Sequence, residues 1–425
     1  MVGWIKNRSI EAKAPYESSV VLRKFLRKFR TSPLRLAFFD IDFTLSSNTE
    51  LLPQIRKSLE KQGYATVFVT ARTEEMVMSK KAYEQSIHGG FYRPRPYLLK
   101  KKDKYEYIDP KRLNRFLVDP DIIIGSTGTQ ILVKQTSGVY KKDTEFENKL
   151  TEDSRNWRRK IIKILKEIDP LQEHFSFSPV EDVTNYYMGK TDVFPPRLRV
   201  QLFFATYAHK KWFLKQLDKR KLLNTLTHRI PSSCIRVIDE VSEKTGTFSV
   251  YLTPTKGHKG NAVEHVVKQL VKAVKQKKHT FTKSQIETIL AGDSYADLGM
   301  LLHGALGTKS TAILVGGSQV GQQLTAEDIT QGMTDDILTL RSRLTPTKKR
   351  GYFSYKVPAD LSANEVSRTL IIGDSAYPDT RGSETILAHL SKITRKVEHG
   401  SMLFSRLHKA VSSIRGYLPV PVFER

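Results

Sequence analysis

Two aspartates, Asp40 and Asp42, follow the apolar run LAFF at residues 36–39 and are separated by a single residue. Such a run is typical of a short buried strand, and in an open parallel sheet ligands bind beyond the carboxyl ends of the strands. Burial of two like charges at that edge is unfavourable unless a cation neutralises them. The stretch therefore predicts a site that holds a cation and acts on an anionic substrate.

Four more polar residues occupy predicted strand ends or helix starts. Thr70 follows the apolar run YATVFV, Lys259 opens an amphipathic helix, and Asp293 and Asp297 stand four residues apart after another apolar run. Each of them alone would be common in a turn or a helix cap. Together with the first two aspartates they suit phosphoryl transfer through a covalent enzyme intermediate.

In that chemistry each group has a distinct task. Asp40 attacks phosphorus, while Asp42 protonates the leaving oxygen and later activates water. Thr70 donates a hydrogen bond to one phosphoryl oxygen, and Lys259 pairs with another. The later pair of aspartates supplies hard oxygen ligands of the kind that Mg²⁺ prefers.

The set and order of these residues resemble the haloacid dehalogenase-like (HAD) superfamily of phosphatases. DIDFT at 40–44 resembles its first motif, Thr70 its second, Lys259 its third and GDSYAD at 292–297 its fourth. The chain departs from the usual pattern in two places. Ala71 replaces a glycine, and Tyr295-Ala296 replaces Gly-Asn.

The order of parts narrows the resemblance to subclass IIB, which contains sucrose-phosphate phosphatase and its relatives. The loop after the first motif is short, and the large block at 143–253 lies between the second and third motifs, where that subclass carries an α/β cap of C2 type. The resemblance spans residues 34–317 and 380–393. It implies an α/β fold with a Rossmann-like parallel sheet core, Mg²⁺ as cofactor, an aspartyl-phosphate intermediate, and a small phosphorylated sugar as substrate.

The resemblance also implies a role for each site residue. The catalytic pair is Asp40 and Asp42. The phosphate-binding residues are Thr44, Thr70 and Lys259. The metal ligands are Asp40, Asp42 through its backbone carbonyl, Asp293 and Asp297. Two arginines that alternate along one cap strand face either the substrate cleft or solvent: Arg197 and Arg199.

A rival fourth motif lies later in the chain. In LIIGDSAYPD, at residues 370–379, Asp374 and Asp379 are five residues apart, and Pro378 disfavours a helical start at Tyr377. The spacing of four in GDSYAD, followed at once by an amphipathic helix, favours residues 292–297 as the metal-binding motif.

The motifs divide the chain into segments. Those predicted are a basic amphipathic N-terminal segment (1–33), a first core part (34–142), the cap (143–253), a second core part (254–317), an insertion of uncertain structure (318–368) and a closing strand, helix and tail (369–425). In the first segment, apolar residues at helical spacing favour a helix docked on the core over one lying on an anionic membrane. That apolar stripe comprises Leu22, Phe25, Leu26 and Phe29.

The chain is strongly basic, with 70 Lys and Arg against 44 Asp and Glu and a formal net charge of +26. This charge either keeps the surface soluble or attracts a polyanion such as an inositol lipid or a nucleic acid. The alternatives to a sugar phosphatase are therefore the same chemistry on a polyanionic target, and a basic binding module on an inactive phosphatase fold.

A single cysteine, Cys234, excludes an internal disulfide and favours a reducing compartment. No apolar run reaches the roughly 20 residues that cross a bilayer, and the N-terminus has no secretory apolar region. We expect a cytoplasmic protein; a membrane-peripheral protein or an effector delivered into a host cell are the alternatives.

Overall fold

The computed structural model describes most of the chain in separate stretches. They are residues 15–28, 33–42, 44–45, 51–72, 98–101, 104–107, 120–151, 156–177, 198–223, 235–242, 247–277, 285–303, 309–315, 318–326, 335–348, 352–358, 365–372 and 382–392. All structural statements below refer to these residues.

The described chain contains both helices and strands throughout its length. The strands are β1 Leu34–Phe39, β2 Ala65–Val69, β3 Leu98–Lys101, β4 Lys104–Tyr107, β5 Ile122–Gly125, β6 Gln130–Lys134, β7 Tyr140–Lys142, β8 Ser176–Phe177, β9 Val200–Phe204, β10 Ile235–Ser242, β11 Thr247–Pro254, β12 Ile286–Gly292, β13 Lys309–Leu314, β14 Leu344–Pro346, β15 Tyr352–Pro358 and β16 Glu365–Ile372. The helices are α1 Val20–Lys28, α2 Leu52–Gln62, α3 Thr144–Leu150, α4 Trp157–Ile168, α5 Tyr207–Lys219, α6 Lys259–Lys277, α7 Tyr295–His303, α8 Gln319–Thr325, α9 Asp335–Arg343 and α10 at 382–392.

Ten strands form the central sheet, in the order β14-β15-β16-β13-β12-β1-β2-β5-β6-β7. The six strands from β16 to β5 are parallel to one another, and antiparallel strands extend the sheet at both edges. This arrangement confirms the predicted α/β class and the mostly parallel, Rossmann-like core.

Strand β1 lies at the centre of this sheet because nearly all of its side chains are apolar and both of its faces are covered. Leu36 and Phe38 belong to a buried cluster with residues of α1 and α6. Ala37 and Phe39 belong to a second cluster with residues of α2 and α10. A strand buried on both faces reads as a continuous apolar run, which is why β1 could be predicted from sequence.

Helix α1 is docked on the core through its apolar face. Ser19 caps it by accepting a hydrogen bond from the Leu22 amide at 3.2 Å, and Val21 and Leu22 are buried in the cluster that includes α6. Phe29, the last residue of the predicted apolar stripe, lies outside the described residues.

A second, antiparallel sheet has the strand order β10-β11-β9-β8. Its apolar side packs against α4 and α5 through buried residues such as Phe204 of β9, Leu165 of α4 and Phe213 of α5. Apart from Pro254 at the end of β11, all of these elements fall in the block at 143–253 that the sequence predicts to be a cap.

The segment predicted as an insertion of uncertain structure contains regular elements. Helices α8 and α9 lie in it, and the β14, β15 and β16 strands extend the central sheet beyond β13. The closing strand predicted at the start of segment 369–425 is only the end of β16. Polar residues interrupt YFSYKVP and EVSRTLII, so β15 and β16 lack the continuous apolar run of a strand buried on both faces. None of the helices in the described stretches combines the length and apolar character needed to span a bilayer.

Candidate active site

Three adjacent strands of the central sheet bring the predicted motif residues together at their carboxyl ends. Asp40 follows β1, Thr70 follows β2 on one side, and Asp293 follows β12 on the other. Backbone hydrogen bonds continue the sheet into the site, since the Asp40 amide donates to Ala291 O at 2.9 Å and the Thr70 amide donates to Ile124 O at 2.8 Å. The sheet itself therefore fixes where these side chains begin.

Lys259, the first residue of α6, connects two of the aspartates. Its Nζ atom lies 2.8 Å from Asp40 Oδ1 and 2.6 Å from Asp297 Oδ1. All three residues are nearly inaccessible to solvent, with exposed fractions of 1% for Lys259, 4% for Asp40 and 0% for Asp297. Although burial alone would lower it, the two carboxylates raise the pKa of the Lys259 amine above its usual value. The two carboxylates therefore favour the charged form of Lys259 inside the site.

The loop before α6 reaches this position because the turn after β5 leaves room for it. Gly128 has φ +92°, and a Cβ atom there would lie 2.3 Å from His258 C and 2.4 Å from Lys259 N. The GSTGT stretch at residues 125–129 is thus a tight turn that contains a short 3-10 helix at Ser126–Gly128. The backbone of the loop before α6 packs against this turn.

Asp297 is fixed by the turn that joins β12 to α7. Its Oδ2 atom accepts hydrogen bonds from the Asp293 amide at 3.1 Å, the Ser294 amide at 3.0 Å and the Ser294 hydroxyl at 2.8 Å. A Cβ atom at Gly292 would lie 2.4 Å from the Asp297 Cγ atom, so this close approach requires glycine. With Oδ1 bonded to Lys259 as well, both carboxylate oxygens of Asp297 have partners.

The side chains of Asp293 and Thr44 are in contact. The Thr44 hydroxyl donates to Asp293 Oδ1 at 3.0 Å, and Thr44 is fully buried. Helix α10 fixes the loop that carries Thr44, because the Ser383 hydroxyl donates to Leu45 O at 2.6 Å. The late helix of the chain thus supports the first motif.

Carboxylate oxygens of Asp40, Asp293 and Asp297 all lie within 4.8 Å of one another. Burial, opposed by Lys259 and reinforced by the charges of Asp297 and Asp42, raises the pKa of Asp40 to about 7. Burial and the neighbouring Asp40 and Asp297 charges raise the pKa of Asp293 well above its usual value. Since one ammonium faces three carboxylates, the cluster has excess negative charge and is suited to bind a divalent cation.

Asp42 is held by Arg72, a residue that the motif analysis did not identify. The Arg72 guanidinium forms two hydrogen bonds with the carboxylate, Nε to Oδ2 at 2.9 Å and Nη2 to Oδ1 at 2.7 Å. The Asp42 side chain is 32% exposed, whereas those of Asp40 and Asp297 are 6% and 0% exposed. The position of Arg72, two residues after Thr70, is the only sequence signal that could have indicated it.

The two cap arginines and the rival motif have different outcomes. Arg199 is 3% exposed; its Nη1 atom donates a hydrogen bond to Ala71 O, and its guanidinium carbon lies 4.9 Å from the centre of the Tyr251 ring. It therefore packs on the turn after β2. Arg197, Asp374 and Asp379 lie outside the described residues.

Sequence comparison finds no matching protein-family model and no matching curated protein. Solved structures similar to the chain include the sucrose-phosphatase of Synechocystis sp. PCC6803, determined with sucrose and phosphate, at 18% identity over 68% of this chain and 85% of that one, with a TM-score of 0.39.

Two other similar structures are a haloacid dehalogenase-like hydrolase from Bacillus subtilis and the IMP-nucleotidase of Plasmodium falciparum. The first is 11% identical over 73% of this chain and 91% of that one, with a TM-score of 0.37. The second is 13% identical over 62% of this chain and 54% of that one, with a TM-score of 0.30. At such distances the chemistry has to be argued from the chain's own residues.

Proposed function

We propose that the chain is an Mg²⁺-dependent phosphatase that hydrolyses a phosphate monoester through an aspartyl-phosphate on Asp40. The observation that carries the proposal is the position of the Lys259 ammonium between Asp40 and Asp297, with Asp293 in the same cluster. A buried carboxylate beside a fixed cation, at the edge of a parallel sheet, has the surroundings that a nucleophile for phosphorus requires.

The acidic cluster fits Mg²⁺. Two oxygen ligands on opposite sides of Mg²⁺, each about 2.1 Å from the ion, lie about 4.2 Å apart. The carboxylate oxygens of the cluster lie within 4.8 Å of one another, which is close to this distance. Asp40 and Asp293 would be direct ligands, together with the Asp42 carbonyl. Asp297, whose two oxygens already have partners, would hold Lys259 and the β12–α7 turn. When bound, Mg²⁺ neutralises charge on the phosphoryl oxygens.

The reaction has two steps. In the first, an Asp40 oxygen forms a bond to phosphorus, the bond from phosphorus to the ester oxygen breaks, and Asp42 gives a proton to the departing oxygen. In the second, Asp42 takes a proton from water, which attacks phosphorus and releases inorganic phosphate from Asp40. Thr70 and Lys259 bind phosphoryl oxygens throughout. Arg72 orients Asp42 between proton transfers.

The proposed substrate is a small phosphorylated sugar. This choice rests on the resemblance of the motif order to subclass IIB, in which the inserted domain contacts the group that leaves with the ester oxygen. A polyanionic target remains the alternative that the net charge of +26 suggests. The basic face of α1 would serve it, because the apolar residues Val21 and Leu22 already pack in the core.

The test is phosphate release by the purified full-length chain from sugar phosphates, nucleotides and inositol phospholipids in vesicles, with and without Mg²⁺. We expect release that needs Mg²⁺ and is abolished in Asp40→Asn. The matched control is Asp218→Asn, at an exposed position on α5, which should keep wild-type activity. A folded wild-type protein that releases no phosphate from any compound would contradict the proposal, and preference for the vesicles would favour the polyanionic target.

A further inference from the structure

The second sheet contacts the catalytic edge of the core at the turn of residues 70–72. Ile238 and Tyr251, which lie opposite each other on β10 and β11, form a small buried cluster with Ala296 of α7, and Ala71 packs against it. Ala71 and Ala296 are two of the positions at which the chain departs from the motif pattern. Both departures therefore meet at one contact between the second sheet and the site.

The turn at 70–72 is held by hydrogen bonds on several sides. The Arg72 amide donates to the Thr70 hydroxyl at 3.1 Å. The Ser126 amide donates to Arg72 O at 2.6 Å, and the Thr127 amide donates to Thr70 O at 3.1 Å. The carbonyl between them, Ala71 O, accepts from Arg199. Among these bonds, the one made by Arg199, which directly precedes β9, is therefore the only one that comes from the block containing the second sheet.

Arg199 is itself held in place. The Arg158 guanidinium of α4 donates to Arg199 O at 2.8 Å, and the ring of Tyr251 lies beneath the Arg199 guanidinium. A planar cation over an aromatic face has a restricted orientation. The residue that donates to Ala71 O is thus held at its backbone by α4 and at its guanidinium by Tyr251.

We propose that Arg199 is a positioning residue, which fixes the turn carrying Thr70 and Arg72 and thereby orients the phosphate-binding hydroxyl and Asp42. The proposal rests on the proposed function, and it assigns Arg199 a role other than substrate contact. The proposal also means that the site is correctly formed only when the second sheet is packed against the core. The reason is that the Arg199 side chain contacts both Tyr251 of the second sheet and Ala71 of the core.

The experiment compares Arg199→Met, which fills the space without a donor, with Arg199→Lys, which keeps a cation and a nitrogen that can donate. The matched control is Arg220→Met, because Arg220 at the end of α5 is 43% exposed and pairs only loosely with Glu167 at 3.8 Å. Each variant is measured for amide hydrogen exchange, for its unfolding midpoint, and for kcat and KM with p-nitrophenyl phosphate and Mg²⁺.

We expect Arg199→Met to speed amide exchange at Arg72, Ser126 and Thr127, and to lower kcat about 10- to 100-fold with KM changed less than about threefold. Arg199→Lys should restore most of kcat and of the exchange protection, and Arg220→Met should match wild type. A purely structural role would lower the unfolding midpoint in Arg199→Met without this local exchange and without the loss of kcat.

Three results would overturn the inference: unchanged exchange at the 70–72 turn in Arg199→Met, a raised KM with unchanged kcat, or Arg199→Lys behaving like Arg199→Met. Exchange is measured without substrate, so the inference stays testable if the wild type releases no phosphate. In that case faster exchange in Arg199→Met would support the coupling while the phosphatase proposal failed.

Discussion

The Lys259 ammonium lies 2.8 Å from the Asp40 carboxylate, and both side chains are buried. Neither charge is stable there alone, because removing one member of a buried ion pair leaves the other without compensation. Asp297 accepts from the same ammonium at 2.6 Å, so one cation fixes two of the three carboxylates of the cluster.

Replacement of this cation should impair both stability and activity. We expect Lys259→Met to lower the free energy of unfolding by about 3–5 kcal/mol and kcat by about 10²- to 10³-fold. Denaturant unfolding and phosphate release measure the two effects. Lys268→Met is the matched control on the same helix, because Lys268 is 53% exposed. Wild-type turnover in Lys259→Met would contradict the role of Lys259 as a phosphate-binding cation.

The ion pair between Arg72 and Asp42 should matter most when the leaving group is poor. We expect Arg72→Met to lower kcat/KM for an alkyl phosphate by about 10- to 100-fold, since a misplaced general acid no longer protonates the departing oxygen. The loss should be smaller for p-nitrophenyl phosphate, whose leaving group needs little protonation. Arg56→Met is the control, because its pair with Glu60 is exposed. Equal losses on both substrates would argue against orientation of the acid by Arg72.

The contact between Gly292 and Asp297 should not tolerate a methyl group. A Cβ atom at Gly292 would lie 2.4–2.7 Å from the Asp297 side chain, so we expect Gly292→Ala to lose about 1–3 kcal/mol of stability and most of its activity. In Gly138→Ala the new methyl group meets no atom within 4 Å, and only the backbone at φ +83° is strained. That variant should keep its activity; equal inactivation of both would contradict the steric argument.

The same substitution, Asp to Asn, made in each of the two similar motifs tests which of them binds the metal. Asp293 lies in the acidic cluster, so Asp293→Asn should lower phosphate release about 100-fold or more, because a metal ligand is lost. Asp374→Asn, in the rival motif, should leave activity nearly intact. Mg²⁺ titration of activity measures the difference. Equal loss in the two variants would show that the wrong motif has been assigned.

Asp143 should make the stability of the fold depend on pH. Burial would raise its pKa, but hydrogen bonds from His265 and from the Phe146 amide outweigh burial and hold the pKa below its usual value. A lowered pKa in the folded state stabilises the protein above the unfolded-state pKa of about 4, and this contribution is lost as the pH falls through the folded-state pKa.

The substitution Asp143→Asn tests this dependence by urea unfolding at a series of pH values. Asp143 also caps α3, so we expect the variant to be less stable at neutral pH by about 0.5–2 kcal/mol. The difference from wild type should shrink below about pH 4. Asp218→Asn, on an exposed helix surface, should show no such trend, and a constant difference for Asp143→Asn would contradict the prediction.

The parts of the fold that could be predicted are the strands that a continuous apolar run identifies without reference to the rest of the chain. Phe38 and Phe39 precede Asp40 in a continuous apolar run because β1 is buried on both faces. The same holds for β2 before Thr70 and for β12 before Asp293. Most of β15 and β16 could not be predicted, because polar residues interrupt the apolar residues of both strands.

The parts of the site that could not be predicted depend on partners remote in sequence. Arg72 reaches back 30 residues to Asp42, and the direction of its guanidinium follows from the turn, which local patterns do not specify. Side chains along β9 alternate between buried and half-buried, as expected for a strand with two different faces. It does not reveal that the residue before β9, Arg199, meets Ala71, which lies 128 residues earlier.

The two strands that pair with β1, namely β2 and β12, are synthesised at very different times. β2 follows it within a few dozen residues, whereas Arg35 of β1 and its partner Glu287 of β12 are 252 residues apart. During synthesis on the ribosome, the side of β1 that pairs with β12 therefore has no partner strand until the entire second sheet has been produced. Contacts of such long range slow folding, and an unpaired apolar strand is prone to aggregate. Completion of the catalytic edge is thus a late event in the folding of this chain.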